Sequence, residues 1–533
     1  MATLLVVDDD PQQLEVRKLI LEQAGHEVEC ASTVGEAMHT YRRCSPQLLL
    51  MDLRLPRTED GLALIRHSRE RAPDTRIVVL SGWTGELQDH PEESMVDRVI
   101  PKPVRSQKLL SVLAQLAAFL MCAVLLGAQT FPFQLDGPAE VAAEIDMTAP
   151  GADWGRAGRE SVLANLTLDD TKKLNVMVFA GGDKYRYRVW LGPLEPGAHN
   201  LKIERHPDYS ARGINLQVGG VTYRQYKPSD PDYAVIANAP AIYARPNTIG
   251  KFSDIPLLTY CERLGDGSLR YSVIFSNEDG GTSTRALMAR WGRATDIEHV
   301  YQVWPGKPGG PSRTLIQTRD HKDVPFQGKY EGQHPLLAVV TDNNMVDGTG
   351  TSVVRYQLAP IVVDLSNSSR EQVMDDHPIT YQLSTRELER EGKLRKFGFV
   401  EGNKISQPEN YLRMEMRIFN KDTRLAVLVR LEGENFWRSS NLGVHDMAIE
   451  RSGWVRTAIE LPPATQSVQV AEIAFQCLPE RTFDGAGGCR VEALSKMFFL
   501  EATGHPGRNF WQPRMDRGPW ILAPGTLRTV SLR

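Results

Sequence analysis

LLLMDLRLP, residues 48–56, is an apolar run that ends on a single acid, Asp52, with a proline four residues later. Removing a carboxylate from water costs free energy, so an acid at the end of a buried strand needs a reason. Continuous apolar runs of this kind are typical of strands that are covered on both faces of a parallel sheet. Ligands bind at the carboxyl ends of the strands in such sheets, and we expect Asp52 to lie there.

The segments around this run alternate between strand-like and helix-like hydrophobic periods. The predicted elements, in chain order, are strand 3–7, helix 11–25, strand 26–31, helix 33–44, strand 46–52, helix 59–72, strand 75–82, a poor helix 85–95, strand 97–104 and helix 105–116. Strands that alternate with helices predict a parallel sheet with helices on both faces. Residues 1–116 are therefore predicted to form an α/β, doubly wound, five-stranded domain.

Polar side chains follow several of these strands at the same predicted edge. Asp8 and Asp9 come directly after the first strand, Ser81 ends the fourth, and Lys102 ends the fifth. Several carboxylates at one edge repel one another and need a cation, and oxygen-only ligands suit Mg²⁺. A lysine and a hydroxyl nearby would suit a phosphoryl group held on one carboxylate. Asp10 is predicted instead to cap the helix that follows it.

The motifs LLVVDDDP, LLLMDLRLP, VVLSGW and IPKPV, in this order, resemble the receiver domain of two-component response regulators. The resemblance covers residues 1–116, roughly the first fifth of the chain, and includes every motif of the family in the right order. It implies that Asp52 accepts a phosphoryl group from a histidine kinase or a phosphotransfer protein. It therefore implies a phosphorelay function for this part of the chain.

The resemblance also implies roles for the residues around the phosphoacceptor. Asp8 and Asp9 match the acidic pair that holds Mg²⁺ together with the phosphoacceptor, and the backbone carbonyl of Arg54 matches a further metal ligand. Ser81 matches the hydroxyl that contacts a phosphoryl oxygen, and Lys102 matches the lysine that pairs with it. By the same analogy the peptide bond after Lys102 would be cis, which costs little before proline.

A long uncharged run from Leu109 to Leu135 follows this region. A membrane-spanning helix needs about 20 apolar residues, so segment 109–133 is predicted to be a transmembrane helix. Basic residues precede the run and acidic residues follow it, which places the receiver in the cytoplasm and the remainder outside. Two alternatives stay open: a buried helix of a cytoplasmic protein, and a signal-like segment that is cleaved after Ala128.

Candidate strands separated by Gly- and Asp-rich turns dominate the chain beyond residue 134. We predict three β-rich domains, at 134–226, 227–384 and 399–533, with sandwich or jelly-roll architecture. A charged helical stretch at 385–398 marks the last boundary. Cys477 and Cys489 either close a disulfide loop, as an oxidising compartment would favour, or stay two buried thiols.

The chemistry of the β-rich region is less defined. It contains no nucleophile elbow, P-loop or zinc motif, so whether the region is an enzyme stays open. Exposed tryptophans could bind carbohydrate, although core tryptophan is more common, and an exported carbohydrate-binding or hydrolytic protein behind a fused receiver is the alternative function. The net charge of −4 gives no reason to expect a nucleic-acid partner. The candidate tryptophans are Trp190, Trp291, Trp304, Trp437, Trp454, Trp511 and Trp520.

Overall fold

The structure, a computed structural model, divides into two compact units, Met1–Gly127 and Ala128–Arg533. We refer to them as the N-terminal and the C-terminal unit. Each has hydrophobic clusters of its own. The residues that the structure describes are 3–44, 46–71, 75–88, 90–104, 107–110, 112, 128–278, 280–306, 313–481, 485, 487–512 and 519–532.

The N-terminal unit is built on a parallel sheet. Its elements are β1 (Thr3–Val7), α1 (Pro11–Gln23), β2 (Glu27–Ala31), α2 (Val34–Cys44), β3 (Leu48–Asp52), α3 (Thr58–Arg71), β4 (Arg76–Ser81) and β5 (Arg98–Pro101). Two 3₁₀ helices, Thr84–Leu87 and Pro91–Met95, replace the predicted helix 85–95, and residues 107–110 and 112 are helical. The five strands run in the order β2-β1-β3-β4-β5, and every pairing is parallel, which confirms the predicted sheet.

Both faces of this sheet are buried, which explains the continuous apolar runs. Leu48 and Leu50 of β3 pack into a cluster with residues of α1, whereas Leu49 and Met51 pack on the opposite side with residues of α2 and α3. Asp10 accepts hydrogen bonds from the first free N–H groups of α1, so the predicted cap is confirmed. The sheet therefore holds the strand ends, where the candidate site residues lie, on a rigid base.

The predicted transmembrane helix 109–133 lies largely outside the described residues. Its last residues are described, and there the prediction was wrong, because Gln129–Leu135 forms strand β6. Half-buried and exposed side chains alternate along residues 129–134, which suits a strand, and Pro132 cannot donate the hydrogen bond that a helix interior requires. Within the part of the chain that the structure describes, no helix has the length and apolar character needed to span a membrane.

The C-terminal unit is rich in β-structure. Its strands after β6 are β7 (Ala139–Thr148), β8 (Leu163–Leu168), β9 (Lys172–Met177), β10 (Tyr185–Leu194), β11 (Gly197–Arg205), β12 (Gln217–Tyr226), β13 (Ala241–Tyr243), β14 (Pro256–Arg263), β15 (Leu269–Phe275), β16 (Asp296–Trp304), β17 (Arg313–Gln317), β18 (Asp323–Pro325), β19 (Tyr330–Glu331), β20 (His334–Val339), β21 (Val346–Asp347), β22 (Arg355–Tyr356), β23 (Ile361–Val363), β24 (Tyr411–Lys421), β25 (Thr423–Leu431), β26 (Arg438–Ser439), β27 (Gly453–Glu460), β28 (Val470–Pro479), β29 (Gly488–Phe498), β30 (Trp520–Leu522) and β31 (Leu527–Ser531).

Short helices connect these strands. The α-helices are α4 (Tyr233–Ala237), α5 (Thr284–Trp291), α6 (Gln372–Asp376) and α7 (Ile379–Arg390), and the 3₁₀ helices are Pro246–Thr248, Pro408–Asn410, His445–Met447 and Ser467–Gln469. The helical stretch predicted at 385–398 overlaps only the second half of α7. Gly392, in the left-handed conformation with φ of 63°, follows its end and stops the helix there.

Strands from residues 134–226 and 227–384 share one sheet, so the predicted boundary between them does not separate two independent sheet systems. The nine-stranded sheet joins β6, β8, β9 and β11 to β13 and β19–β22, with Asn175 facing Tyr356 in parallel register. A three-stranded sheet, β10-β7-β12, and a six-stranded sheet, β18-β17-β16-β15-β14-β23, complete this part. The composition around residue 227 marks a turn rather than a domain boundary. The sequence could not show this, because pairing between strands that are distant along the chain leaves no local signal.

The last part of the unit has two four-stranded sheets, β27-β24-β29-β30 and β26-β25-β28-β31. Side chains from both sheets meet in one buried cluster, with Met414 and Met416 from one and Val427 and Val429 from the other. A disulfide joins Cys477 of β28 to Cys489 of β29, with 5.7 Å between their Cα atoms. The bridged interpretation of the two cysteines is therefore confirmed.

Candidate functional site

Three carboxylates lie together at the carboxyl ends of the parallel strands in the N-terminal unit. Asp8 and Asp9 follow β1, and Asp52 is the last residue of β3. One oxygen from each side chain lies within 4.8 Å of the others. Asp8 is buried, Asp52 is half-buried and Asp9 is exposed, so the group extends from the core to the solvent. We refer to Asp8, Asp9 and Asp52 as the acidic cluster.

Lys102 supplies a positive charge to this cluster. Its Nζ lies 2.5 Å from Oδ2 of Asp52 and 3.4 Å from Oδ2 of Asp8. The lysine follows β5, and its peptide bond to Pro103 is cis, as the sequence predicted. A charge-assisted contact of this length holds the amine of Lys102 against the carboxylate of Asp52. The structure therefore brings together four of the residues predicted for the site.

Asp8 has a second cationic partner, Arg17, which sequence reasoning missed. The guanidinium of Arg17 contacts Oδ2 of Asp8, and the N–H of Asp10 donates to Oδ1 at 2.9 Å. Burial alone would raise the pKa of Asp8, but the hydrogen bonds from Arg17 and Asp10, with the charges of Arg17 and Lys102, hold that pKa below its usual value. A usable signal existed, because Arg17 shares the buried face of α1 with Leu14 and Leu21.

Ser81, the last residue of β4, is buried and hydrogen-bonded within its own loop. Its Oγ lies 2.8 Å from the carbonyl oxygen of Trp83 and 3.1 Å from Oε2 of Glu86. Glu86 also accepts hydrogen bonds from Thr58 and Arg54, at 2.7 and 2.6 Å. Burial opposes ionisation of Glu86, but the donors from Thr58, Arg54 and Ser81 outweigh it and lower its pKa. Glu86 was missed because it lies in the irregular segment after β4.

Residues 4–114 match the family described as the response regulator receiver domain. This segment is a response regulator receiver domain. The chain is 32% identical over 114 residues to the transcriptional regulatory protein AruR of Pseudomonas aeruginosa. This match covers 20% of this chain and 46% of AruR. The chain is also 32% identical over 141 residues to the virulence transcriptional regulatory protein PhoP of Salmonella typhimurium, covering 26% of this chain and 61% of PhoP. The chain thus spans about half the length of these curated relatives.

Solved structures of response regulators match a similar share of the chain. A response regulator receiver domain protein from Clostridium thermocellum is 22% identical, covers 23% of this chain and 99% of its own, and gives a TM-score of 0.22. A response regulator from Thermotoga maritima is 29% identical, covers 22% of this chain and 98% of its own, and gives a TM-score of 0.21. Both matches take in less than a quarter of this chain.

The loop after Asp52 contacts the Asp52 carboxylate, Glu86 and helix α3. The N–H of Arg54 approaches Oδ1 of Asp52 at 3.4 Å, while the exposed Arg54 side chain reaches Glu86. Gly61 in α3 packs directly on this loop, since a Cβ at this glycine would lie 2.0 Å from the carbonyl oxygen of Leu53. Glycine at this position therefore allows α3 to approach the residue next to Asp52. The role of the Arg54 carbonyl as a metal ligand stays a prediction.

The tryptophans of the C-terminal unit do not form exposed platforms. Trp190, Trp511 and Trp520 are buried, and Trp190 stacks on the ring of His334 at a centroid distance of 3.7 Å. The other four candidates are half-buried. Trp190, Trp511 and Trp520 belong to the hydrophobic cores, and none of the seven candidates is fully exposed, so a carbohydrate ligand is not supported.

Buried ionic groups of the C-terminal unit are paired in a different way from the acidic cluster. Arg456, which is fully buried, donates to both oxygens of Asp375 at 2.7 and 2.8 Å and to Glu415 at 2.8 Å. Glu387 is also fully buried, and it accepts a hydrogen bond from Nε1 of Trp154 at 2.9 Å. Burial raises the pKa of Glu387 to about 7. These groups bind one another and the core, and we assign them a structural role.

Proposed function

We propose that the receiver domain accepts a phosphoryl group on Asp52 from a phosphohistidine of a histidine kinase or phosphotransfer protein. The observation that carries this proposal is the contact of 2.5 Å between Lys102 and Asp52, beside two further carboxylates. In the reaction an Asp52 oxygen bonds to phosphorus as the phosphorus–nitrogen bond breaks. The imidazole nitrogen keeps the electron pair and takes up a proton from solvent. The product is an acyl phosphate.

The other residues of the site would act on the charge of the transferred group. Lys102 already contacts the oxygen of Asp52, so its amine is placed to pair with a phosphoryl oxygen. The Ser81 hydroxyl can donate to another phosphoryl oxygen after leaving its present acceptors. The ligand atoms that the acidic cluster offers to a metal ion are all oxygen, which fits Mg²⁺. Asp8, Asp9, Asp52 and the carbonyl oxygen of Arg54 would hold the ion. When bound, Mg²⁺ supplies positive charge that offsets the negative charge of the phosphoryl oxygens.

Phosphorylation of the full-length chain with a small phosphodonor and Mg²⁺ tests this assignment. The wild type should gain an acid-labile acyl phosphate, and Asp52→Asn should lose it, because an amide is not the nucleophile. Asp60→Asn serves as the matched control, since Asp60 lies on α3 outside the acidic cluster and pairs with Arg57. The control should be labelled like the wild type. Equal labelling of the Asp52→Asn chain would overturn the assignment.

We propose further that the C-terminal unit matures outside the cytoplasm, behind either a membrane-crossing or a cleaved segment. The disulfide between Cys477 and Cys489 supports this, because such bridges persist in oxidising compartments. A second support is that the first strand of the unit begins at Gln129, directly after the predicted cleavage position, so cleavage would leave all strands of the unit intact. The receiver would stay in the cytoplasm, where histidine kinases supply phosphoryl groups.

Protease treatment of spheroplasts that carry the full-length chain tests this placement. Digestion of the C-terminal unit with survival of the receiver would support a membrane crossing, and a released fragment that starts near Gln129 would support cleavage. Non-reducing peptide mapping of the same material should find Cys477 and Cys489 linked. A soluble, fully protected chain in which both thiols react with an alkylating agent without reductant would contradict the proposal.

A further inference from the structure

Arg17 places a fixed positive charge inside the receiver site. Its side chain is 7% exposed, and its guanidinium contacts Oδ2 of Asp8, a residue that is 1% exposed. The same oxygen lies 3.4 Å from Nζ of Lys102, and the other Asp8 oxygen accepts the N–H of Asp10. Both oxygens of Asp8 are therefore already engaged by groups of the chain itself.

The charges at the site are nearly balanced without any bound ion. The acidic cluster contributes three negative charges, and Lys102 and Arg17 contribute two positive charges, so the sum is −1. The cations are not evenly shared. Asp8 contacts both of them, Asp52 contacts Lys102, and Asp9 is the exposed member of the cluster. The free negative charge therefore lies on the solvent side, away from Asp8.

We infer that Arg17 is a built-in counter-ion that lowers the affinity of the receiver for a divalent cation and directs that cation toward Asp9 and Asp52. This inference rests on the proposed Mg²⁺ site. A positive charge fixed against one carboxylate repels a second cation at the same carboxylate, and in a half-buried site one unit of charge changes the affinity by about tenfold or more. Arg17 acts through Asp8 and is a positioning residue for the cation.

A purely structural ion pair makes a different prediction. If Arg17 only anchors α1 to the sheet, its removal leaves Asp8 buried without its main partner and destabilises the receiver. The intrinsic affinity of the folded site for a cation would then stay as it is. A measurement of cation affinity therefore separates the two roles, whereas a measurement of stability alone does not.

Binding of Mn²⁺, a divalent cation that prefers the same oxygen ligands, tests the inference on the full-length chain. Electron paramagnetic resonance of the free ion gives the dissociation constant directly. Arg17→Met and Arg17→Gln remove the charge, the second with a polar group retained near Asp8. We expect both to bind Mn²⁺ at least about tenfold more tightly than the wild type. Sites elsewhere on the chain are subtracted with Asp9→Ala.

The matched control is Arg66→Met, which removes another arginine of the same domain. Arg66 pairs with Glu92, a nearly buried acid outside the acidic cluster. We expect the Mn²⁺ affinity of this variant to equal that of the wild type. An equal gain in affinity for Arg66→Met and Arg17→Met would overturn the inference, because it would show a general effect of charge removal.

The remaining outcomes separate the inference from the proposed function. If the wild type shows no Mn²⁺ binding that Asp9→Ala removes, the proposed metal site fails and the inference fails with it. If the wild type binds Mn²⁺ and folded Arg17→Gln binds it no more tightly, only the inference is overturned. If Arg17→Met is unfolded without ions, recovery of its circular dichroism on adding Mn²⁺ supports the inference. If the circular dichroism of Arg17→Met does not recover, the Mn²⁺ affinity of Arg17→Gln alone decides whether the inference holds.

Discussion

Asp8 of the receiver and Glu387 of the C-terminal unit are both buried carboxylic acids, yet their pKa values move in opposite directions. Burial is the largest influence on each, and it favours the neutral form. Asp8 contacts the cations Arg17 and Lys102 and its pKa is lowered. Glu387 accepts from the neutral indole of Trp154 at 2.9 Å, while the cation Arg390 lies 3.7 Å away, and its pKa is raised to about 7 because burial outweighs both. A cation in hydrogen-bonding contact therefore keeps Asp8 ionised, whereas the more distant cation beside Glu387 does not offset its burial.

The network around Arg456 shows a third arrangement. Burial raises the pKa of Asp375, but the charge and hydrogen bonds of Arg456 bring it below its usual value. This network is enclosed, since Arg456 and Glu415 are buried. The acidic cluster of the receiver instead reaches the solvent through Asp9 and carries one negative charge in excess of its cations. An enclosed, paired network suits a scaffold, whereas open, uncompensated charge suits a ligand site.

The largest effect on this comparison should come from Arg456→Met. The change leaves Asp375 and Glu415 buried without their main cation, which costs about 3 to 5 kcal/mol. Denaturant unfolding of the C-terminal unit, followed by circular dichroism, measures the loss. Arg481→Met is the matched control, since its pair with Asp446 is exposed on both sides, and its midpoint should stay at the wild-type value. Equal midpoints for the two variants would contradict the assignment of a structural network.

The next effect is the pH dependence that Glu387 adds to stability. Its pKa rises from 4.5 in the unfolded chain to about 7 in the folded one, so the folded state binds the extra proton. This contribution is complete below pH 4.5, declines as the pH rises, and is lost above about 7, with a total of about 3 kcal/mol. Glu387→Gln, which keeps an acceptor for Trp154, should remove this slope from the unfolding free energy.

Glu389→Gln provides the control for this pH dependence, because Glu389 is exposed on the same helix. Its unfolding free energy should fall with pH as in the wild type. If Glu387→Gln keeps the wild-type slope between pH 4.5 and 7, the protonated state assigned to Glu387 is wrong.

The smallest effect extends the comparison from charges to backbone packing in the receiver. Gly61→Ala would place a methyl group 2.0 Å from the carbonyl oxygen of Leu53, so α3 must shift, at a cost of about 1 to 3 kcal/mol. Thermal unfolding of the receiver measures this loss. Gly35→Ala in α2 meets no atom within 4 Å and should unfold at the wild-type temperature or above it. A neutral Gly61→Ala would contradict the close approach.

The receiver could be predicted from sequence because its signals are local. The run that ends at Asp52 shows both the burial of β3 and the acid at its end, and Lys102 follows an equally clear strand. Arg17 was missed because its partner Asp8 lies outside the helix that carries it, and Glu86 because it lies in the irregular segment after β4 and two of its donors, Thr58 and Arg54, are distant in sequence. Arg17 looks like an ordinary helical residue until its place on the buried face of α1 is considered.

The C-terminal unit was predictable as β-rich but not in its arrangement. The sequences of strands such as β10 and β24 alternate between apolar and polar residues, and their positions were found, although Arg413 and Glu415 of β24 are buried rather than exposed. The partners of these strands lie far along the chain, as in the pairing of Asn175 with Tyr356, and no local pattern encodes such a pair. The bridge between Cys477 and Cys489 was one of two open interpretations, because spacing alone does not show whether two strands bring their sulfur atoms together.

The position of Ser81 has a consequence for signalling. A hydroxyl group carries one proton, and that of Ser81 lies within reach of two acceptors, the carbonyl oxygen of Trp83 and the carboxylate of Glu86. A phosphoryl oxygen on Asp52 would be a third competitor for the same proton. The response to phosphorylation would then be an exchange of acceptors, in which Glu86 loses one donor while keeping Thr58 and Arg54. Glu86 would therefore compete with a phosphoryl group for the Ser81 proton, and its removal would favour the exchange.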